Sequence, residues 1–396
     1  MELTNGEKSI RGKNAQNNLE ELVARFFKKG DLPKFTKEYR LGKTGFKNNK
    51  QFYSAFHLEI TDSEEWILFT TTSLRTDRIK GNQWDAFNLK EINPKIKKAF
   101  LIYPDGLSKK ENEKFNKQQK KYKNNTNYSC IDDILSYEEF YILLEKTLLR
   151  DFRSPGKVKD IQGKNFENRV AEILSNNDNL KRWNGISNII DGYHYPIFAT
   201  VLNSFNIKEN IKYIYATTDP KNIKKLPSRG NPKTDVLVKI TTDNNDTIIK
   251  TLSCKRTSSK NVSVHEYSAE SFSDVLDKKN HKLKELLLKF QEAGSLKRFG
   301  EYNIEKLTTT ILPCNDKLSK WVLGGIGGAG DPTSQWASHI LTYNNNNSII
   351  TCEDIESYIE KLKNNNIQGH FGTLFSWTYP SKNHGKKIQL KCKIIQ

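Results

Sequence analysis

An α/β protein is predicted: a mixed β-sheet core flanked by helices, preceded by a separate N-terminal α/β domain. Three observations carry this. The chain has 396 residues, a length that suggests two or three domains. Apolar residues at helical spacing, such as Leu19, Leu22, Val23, Phe26 and Phe27, give way along the chain to short β-rich runs such as Trp66 to Phe69. And the stretch Arg229 to Glu270 reads as a β-hairpin, with Val236, Val238 and Ile240 alternating ahead of a polar turn at Thr241 to Thr247 and a second β-rich run from Ile248 to Arg256. The boundaries that follow are residues 1–150 for the first domain, 151–162 for a linker and 163–396 for the second domain.

Composition narrows the class. Lysine and arginine number 64 against 46 acidic residues, a formal net charge of +18, and hydrophobic residues make up 36%. That is enough apolar material for packed cores, and the charge favours a polyanionic partner. Five cysteines are scattered with no Cys-x-x-Cys pair, which argues against structural zinc and a disulfide framework. The opening MELTNGEKSIRGKN has no apolar signal core, and no run approaches the roughly 18 apolar residues of a membrane span. A soluble, cytoplasmic protein with no membrane partner is expected.

In the first domain, Ala15 to Lys28 reads as an amphipathic helix with Asn14 as its cap. Strand-like runs follow at Gln51–Ile60, Glu65–Thr72 and Ala99–Tyr103, the last ending in a turn at Pro104-Asp105-Gly106. The strand order loosely resembles a nuclease-like α/β module, but no Asp plus x-x-Lys pair falls on two strands. Two readings stand for Arg75 to Trp84. In one, Arg75, Arg78 and Lys80 contact DNA phosphates and Gln83 lies near a base or the backbone. In the other, the segment is a fold-stabilising turn in which Asp77 pairs with an arginine and Trp84 is core. Lys109 to Asn125 is a charge run, a solvated helix or loop, and Ile131 to Leu149 reads as a helix closing the domain.

Gly163 to Leu174 starts the second domain as a helix with Phe166, Val170, Ile173 and Leu174 as its buried stripe. Arg182 to Thr218 is mixed, with a turn at Asp191-Gly192 and a strand-like run at Ile211–Ala216. Beyond the hairpin, Phe272 to Gln291 reads as one helix with Leu276, Leu283, Leu287 and Phe290 inward, and Glu353 to Lys363 as a short helix. The glycine-rich run Gly324 to Gly330 lacks the Gly-Lys-Ser/Thr ending of a phosphate loop. It reads as a loop near DNA or a tight packing turn.

The chemistry concentrates in the hairpin. Side chains alternate faces along a strand, so Ser253 and Lys255 share one face while Leu252 and Cys254 share the other. Asp235 opens the first strand, where its carboxylate can face Lys255 on the neighbour. A carboxylate to hold Mg²⁺ with a cation beside the attacked phosphate is the geometry phosphodiester hydrolysis needs.

These residues resemble the PD-(D/E)XK nucleases, with Pro232-Lys233-Thr234-Asp235 as the first half of the motif and Ser253-Cys254-Lys255 as the second. More narrowly, three ordered stretches resemble the MspI-type restriction endonucleases. They are the helix opening Gly163-Lys164-Asn165-Phe166-Glu167, the hairpin with Ser258-Ser259-Lys260-Asn261-Val262-Ser263 and its continuation to Tyr267, and the C-terminal run Phe371 to Lys391 with its Phe-Gly-Thr, Trp-Thr-Tyr and Lys-Lys-x-Gln-x-Lys elements. The resemblance covers about residues 160–395 and leaves the N-terminal domain outside. It implies a restriction-endonuclease-like mixed sheet and a type II enzyme of a restriction-modification system, acting on double-stranded DNA with Mg²⁺ as cofactor. It implies cleavage at a short GC-rich palindrome such as CCGG, leaving a 5′-phosphate. A DNA methyltransferase is the expected genetic partner, without a stable complex. For the site it implies Asp235, Ser253, Lys255 and Glu167 as catalytic residues, with the metal on Asp235 and the Cys254 carbonyl, and on Glu167 through water. Glu167 has a second reading, as a first-turn helix acid favoured by the dipole. Ser253 departs from the usual acid of the motif, and its hydroxyl is a poor Mg²⁺ ligand.

For DNA the resemblance implies a C-terminal hairpin that reads bases in the major groove. Gln389 and Lys391 fall on one strand face with Lys387 two residues before, and Thr378 and Ser381 can donate or accept. Lys386, Lys260 and Ser263 join them as DNA contacts. The alternative is a basic hairpin that binds phosphates without sequence preference. Two rival functions are a non-cleaving DNA-binding protein that lost its acid at Ser253, and a repair nuclease that cuts by structure.

Overall fold

The computed structural model describes all residues except 1–3, 43–50, 105–108, 123–128, 152–153, 187–193, 346–348, 381–382, 384 and 396. The chain divides into two compact units, Met1–Lys159 with Asn176–Phe198, and Asp160–Ser175 with Ala199–Gln396. The expected class is borne out: both units are mixed sheets flanked by helices.

The first unit opens with helix α1 (Asn5–Lys28). It starts ten residues earlier than its apolar spacing suggests, and Asn14 is not its cap. Thr4 accepts from the Glu7 backbone while Glu7 reaches back to Thr4, a reciprocal cap that satisfies two otherwise orphaned donors. The polar first turns bury nothing to leave a periodic signal; Leu19, Leu22, Val23 and Phe26 do, and are buried. Strands β1 (Lys34–Leu41), β2 (Phe52–Thr61), β3 (Glu64–Thr70), β4 (Ile96–Tyr103) and β5 (Asp133–Ser136) form one sheet in that order. β1, β2 and β3 are antiparallel; β4 and β5 run parallel to β3. β1 has no counterpart in the sequence analysis, because it alternates only half-buried and exposed residues at the sheet edge.

Helix α2 (Thr76–Ile92) crosses from β3 to β4, and α3 (Lys109–Tyr122) from β4 towards β5. Arg75 does pair with Asp77 at 3.1 Å, but both are exposed and such pairs contribute little. Trp84 is not core: it is 62% exposed. The expected single helix at Ile131–Leu149 is instead β5 followed by α4 (Tyr137–Leu148). Ser136 and Glu139 form a second reciprocal cap there and start the helix midway.

The expected linker at 151–162 is a correction too. Helix α5 (Pro155–Leu174) runs through it. Proline suits a first helical position, where a backbone N–H would have no partner, and the polar turns 156–162 read as loop because they bury no stripe. Further on, Phe166, Val170, Ile173 and Leu174 are buried as expected. Helices α6 (Asn177–Trp183) and α7 (Tyr195–Phe205) follow; the expected turn at Asp191-Gly192 lies outside the described residues.

The second sheet has the order β11-β10-β8-β7-β6, built from β6 (Ile211–Thr217), β7 (Val236–Thr242), β8 (Thr247–Thr257), β10 (His339–Asn344) and β11 (Ile349–Asp354). β7 and β8 are the expected hairpin. Between β8 and β10 the chain forms β9 (Asn261–Tyr267) and helices α8 (Ala269–Asp277), α9 (His281–Ala293), α10 (Leu296–Phe299), α11 (Glu301–Ile311) and α12 (Asn315–Gly324). The single helix expected at Phe272–Gln291 is broken because Asn280 caps α9, accepting from the Leu283 N–H. Strands β10 and β11 went unread in the sequence. β10 is buried along nearly its whole length, so alternation of polarity is absent. Helix α13 (Ile355–Asn364) then precedes β12 (Ser376–Thr378) and β13 (Ile388–Lys393), which join β9 in a three-stranded sheet ordered β12-β13-β9. Its buried face packs on α8, α9, α11 and α12 through Phe272, Phe290, Trp321 and Trp377.

Candidate active site

Strand pairing builds the site. β7 and β8 pair with Val236 opposite Leu252, and the Asp235 N–H extends the ladder to the Leu252 carbonyl at 2.8 Å. The Asp235 carboxylate therefore lies beside Ser253 to Lys255. One of its oxygens accepts from the Cys254 N–H at 2.7 Å, from Lys255 Nζ at 3.1 Å and from Ser253 Oγ at 3.4 Å. Lys255 Nζ also donates to the Cys254 carbonyl at 3.1 Å. Both partners of the pair are largely shielded, with side-chain exposures of 17% for Lys255 and 22% for Asp235. Burial works against the Lys255 charge, but Asp235 outweighs it and holds the ammonium above its ordinary range.

Glu167 comes from α5, where Phe166 stacks on Tyr343 of β10 at 5.5 Å and fixes the helix against the sheet. Desolvation, then the nearby Asp235 carboxylate, push the Glu167 carboxyl up to about 8, against the pull of Lys255 and Lys164. Two carboxylates thus crowd one corner. With the Cys254 carbonyl they make a set of hard oxygen donors, the kind Mg²⁺ takes while keeping several waters. The Cys254 thiol does not belong to that set: burial, then Asp235, hold it well above its ordinary value and neutral. Ser253 is fully buried and turned to Asp235. Among the described residues no group of three or more His, Cys, Asp or Glu side chains gathers as a metal cluster.

Asp235 and Lys255 line a cleft of about 680 Å³ together with Ser263, Lys387 and Gln389. Strand β13 runs antiparallel to β9, with Gln389 opposite Glu266 and Lys391 opposite Ser263 across a bulge in β9. Ile388, Leu390 and Cys392 are buried, so Gln389 and Lys391 share the other face of β13. Gln389 is held by Thr378, whose hydroxyl lies 3.3 Å from its Oε1. Lys387 lies 3.5 Å from Glu266. Lys386 and Lys260 are exposed and, like Thr378 and Lys391, stand outside the cleft wall. Ser381 lies outside the described residues. Arg75, Arg78 and Lys80 belong to the first unit, exposed at the start of α2.

Lys233 carries no role in the sequence analysis, yet it lines the same cleft. Its Nζ donates to the Val264 carbonyl of β9. Burial, then Lys255, hold its ammonium down to about 7, with Asp235 opposing. Its place two residues ahead of Asp235 was the available signal. The glycine run is a packing turn: Gly325 ends α12 in the left-handed region, and a Cβ on Gly328 would meet the Trp321 ring at 2.5 Å.

A family model described as restriction endonuclease MspI matches residues 144–392. The chain belongs to the MspI family of type II restriction endonucleases. The MspI-type resemblance of its three motifs is thereby borne out. The type II restriction enzyme BsuFI of Bacillus subtilis is 29% identical to this MspI-family chain over 361 residues, 88% of each protein. That likeness is too long to be confined to residues 144–392. The type II restriction enzyme MspI of Moraxella sp is 24% identical over 243 residues, 60% of this chain and 91% of that enzyme. Among solved structures, the crystal structure of restriction endonuclease MspI in complex with its cognate DNA superposes with a TM-score of 0.51 at 25% identity, covering 63% of this chain and 98% of that one. No helix among the described residues is long and apolar enough to cross a membrane.

Proposed function

We propose that this chain cuts double-stranded DNA at a short GC-rich palindrome of the CCGG kind, by Mg²⁺-dependent hydrolysis that leaves a 5′-phosphate. The observation that carries this is the Asp235–Lys255 pair, 3.1 Å apart on adjacent strands, in a cleft whose wall also presents Lys387 and Gln389. Asp235, the Cys254 carbonyl and, through water, Glu167 would hold the metal. When bound, Mg²⁺ acidifies water and polarises the phosphoryl oxygens. Lys255 keeps its proton, orients the attacking water and offsets the charge that develops on the phosphate. Asp235 anchors that ammonium, and the Cys254 N–H fixes the carboxylate in turn. Ser253 supports Asp235 through its hydroxyl and donates nothing to substrate.

Specificity is assigned to the C-terminal hairpin. Gln389, Lys391, Thr378 and Ser381 supply base-edge donors and acceptors, and Lys386, Lys387, Lys260 and Ser263 contact the backbone nearby. Arg75, Arg78 and Lys80 give the N-terminal domain, residues 1–150, an accessory grip on phosphates. A methyltransferase of matching specificity protects the host DNA as a genetic partner. The test is incubation of the purified chain with plasmid in Mg²⁺ or in EDTA, followed by mapping of the ends. Discrete bands only with Mg²⁺, all ending at one palindrome with 5′-phosphates, are expected. Binding without cleavage, or cuts that follow DNA structure and not sequence, would replace this reading with one of its rivals.

A further inference from the structure

One strand path occurs twice in this chain. In the first unit it runs α1, β1, β2, β3, α2, β4; in the second it runs α5, then after helices α6 and α7 β6, β7, β8 and, after the β9–α12 excursion, β10. In both, the first three strands are antiparallel in order and the fourth lies parallel to the third. The catalytic corner of the second unit is where the chain enters its second strand, at Asp235, and approaches the end of its third, at Lys255. In the first unit the third strand runs out at Thr70 into Thr71, Thr72 and Ser73. A cleft of about 760 Å³ opens there.

Its lining differs in kind from the catalytic corner. Lys8, Arg11, Arg75 and Arg78 stand around the hydroxyls of Thr70 to Ser73, and among the described residues no carboxylate lines the cleft. Arg11 is engaged by Glu111 at 2.9 Å and Arg75 by Asp77. Lys8 and Arg78 have no ion-pair partner among the described residues. Among the described residues no aromatic ring lines the cleft for a base to stack on. Lys8 and Arg78 beside these hydroxyls, with Glu111 and Asp77 already engaged by Arg11 and Arg75, suit a phosphate group that is held and left intact.

We infer that the first unit is a second module of the nuclease path, and that its corner grips a phosphate of the DNA backbone without cutting it. Among the described residues no carboxylate lines this corner as Asp235 lines the other, and the nearby Glu111 and Asp77 are engaged by Arg11 and Arg75. This rests on the DNA-cleaving reading above and adds to it a defined site, shared between α1, the end of β3 and α2.

The test uses the full chain in EDTA with a duplex carrying the proposed CCGG palindrome and long flanks. Amide exchange should slow across residues 70–78 on adding duplex. In the paired variant Lys8→Ala, Arg78→Ala that protection should vanish while protection of β8 persists, and the salt dependence of binding should fall by roughly one for each lost phosphate contact. The paired variant Lys8→Arg, Arg78→Lys should restore both, which separates charge from folding. Protection of β8 without protection of 70–78, or an unchanged salt slope, would overturn the inference. So would protection of 70–78 by inorganic phosphate but not by duplex, which assigns the cleft to a free phosphate compound. A wild-type chain that shows protection of 70–78 but never cuts with Mg²⁺ refutes the proposed activity and leaves this site standing.

Discussion

Breaking the Asp235–Lys255 pair should cost stability and cleavage together, and a double-mutant cycle can tell the two apart. The charges lie 3.1 Å apart with exposures of 22% and 17%. At the effective dielectric of partly buried sites their attraction is about 5 kcal/mol before desolvation is subtracted. Asp235→Asn leaves Lys255 as a shielded cation with only neutral acceptors, one of them the Cys254 carbonyl. Lys255→Met leaves the Asp235 carboxylate with the Cys254 N–H and the Ser253 hydroxyl, and removes a charge that offsets Glu167. Each single change should destabilise the second unit by about 3 kcal/mol, since removing one partner strands the other. The double variant should cost less than the sum by about 2 kcal/mol, the worth of a charge-assisted hydrogen bond. Amide exchange of β7 and β8 in EDTA reads this unit directly and avoids a two-state assumption over the whole chain. All three variants should fail to nick plasmid in Mg²⁺ while still binding it. Costs that add to within about 0.5 kcal/mol would show that the two groups are not coupled, and wild-type cleavage by Lys255→Met would remove Lys255 from the chemistry.

Other outcomes test the site from different sides. Without metal, Glu167 is held at about 8, above its unfolded value, so the stability tied to its protonated form is complete below the ordinary carboxylate range and is lost as pH rises towards 8. Melting in EDTA should therefore fall over that window, and Glu167→Gln should flatten the fall; an identical slope in the variant would show that Glu167 is not the group behind it. Lys391→Ala should shrink the gap between cognate and single-mismatch duplexes by about 1–3 kcal/mol. Arg78→Ala should weaken both duplexes alike, and if it alone erased discrimination, the roles of the two regions would be reversed. Gly369→Ala should destabilise the turn ahead of β12 by about 1–3 kcal/mol or more, because a Cβ there would lie 2.0 Å from the Phe375 carbonyl oxygen; circular dichroism melting that matches the wild type would refute this.

The β7–β8 hairpin was legible because its signals are local. Val236, Val238 and Ile240 set the period of the strand, Thr241 to Thr247 broke it, and the offset from Asp235 to Lys255 across that turn already placed carboxylate and lysine on facing strands. The buried stripe of α5 was equally plain, since four apolar residues at helical spacing need no partner to be recognised. Elements without a stripe were missed or misjoined. The first turns of α1 and α5 are polar and solvated, so only the Thr4–Glu7 cap and Pro155 mark their starts. Strand β10 is covered on both faces and lacks alternation. The family resemblance had put Glu167 and Asp235 on one metal, but no local signal in the sequence showed how the rest of the site comes together. Glu167 lies far along the chain from Asp235, Lys233 reaches across to β9, and β13 brings Gln389 and Lys387 to the same cleft. Residue type and spacing act over one or two turns of chain. The meeting of α5, β7, β8, β9 and β13 is decided by which apolar faces find each other in the core, and no short stretch of sequence records that choice.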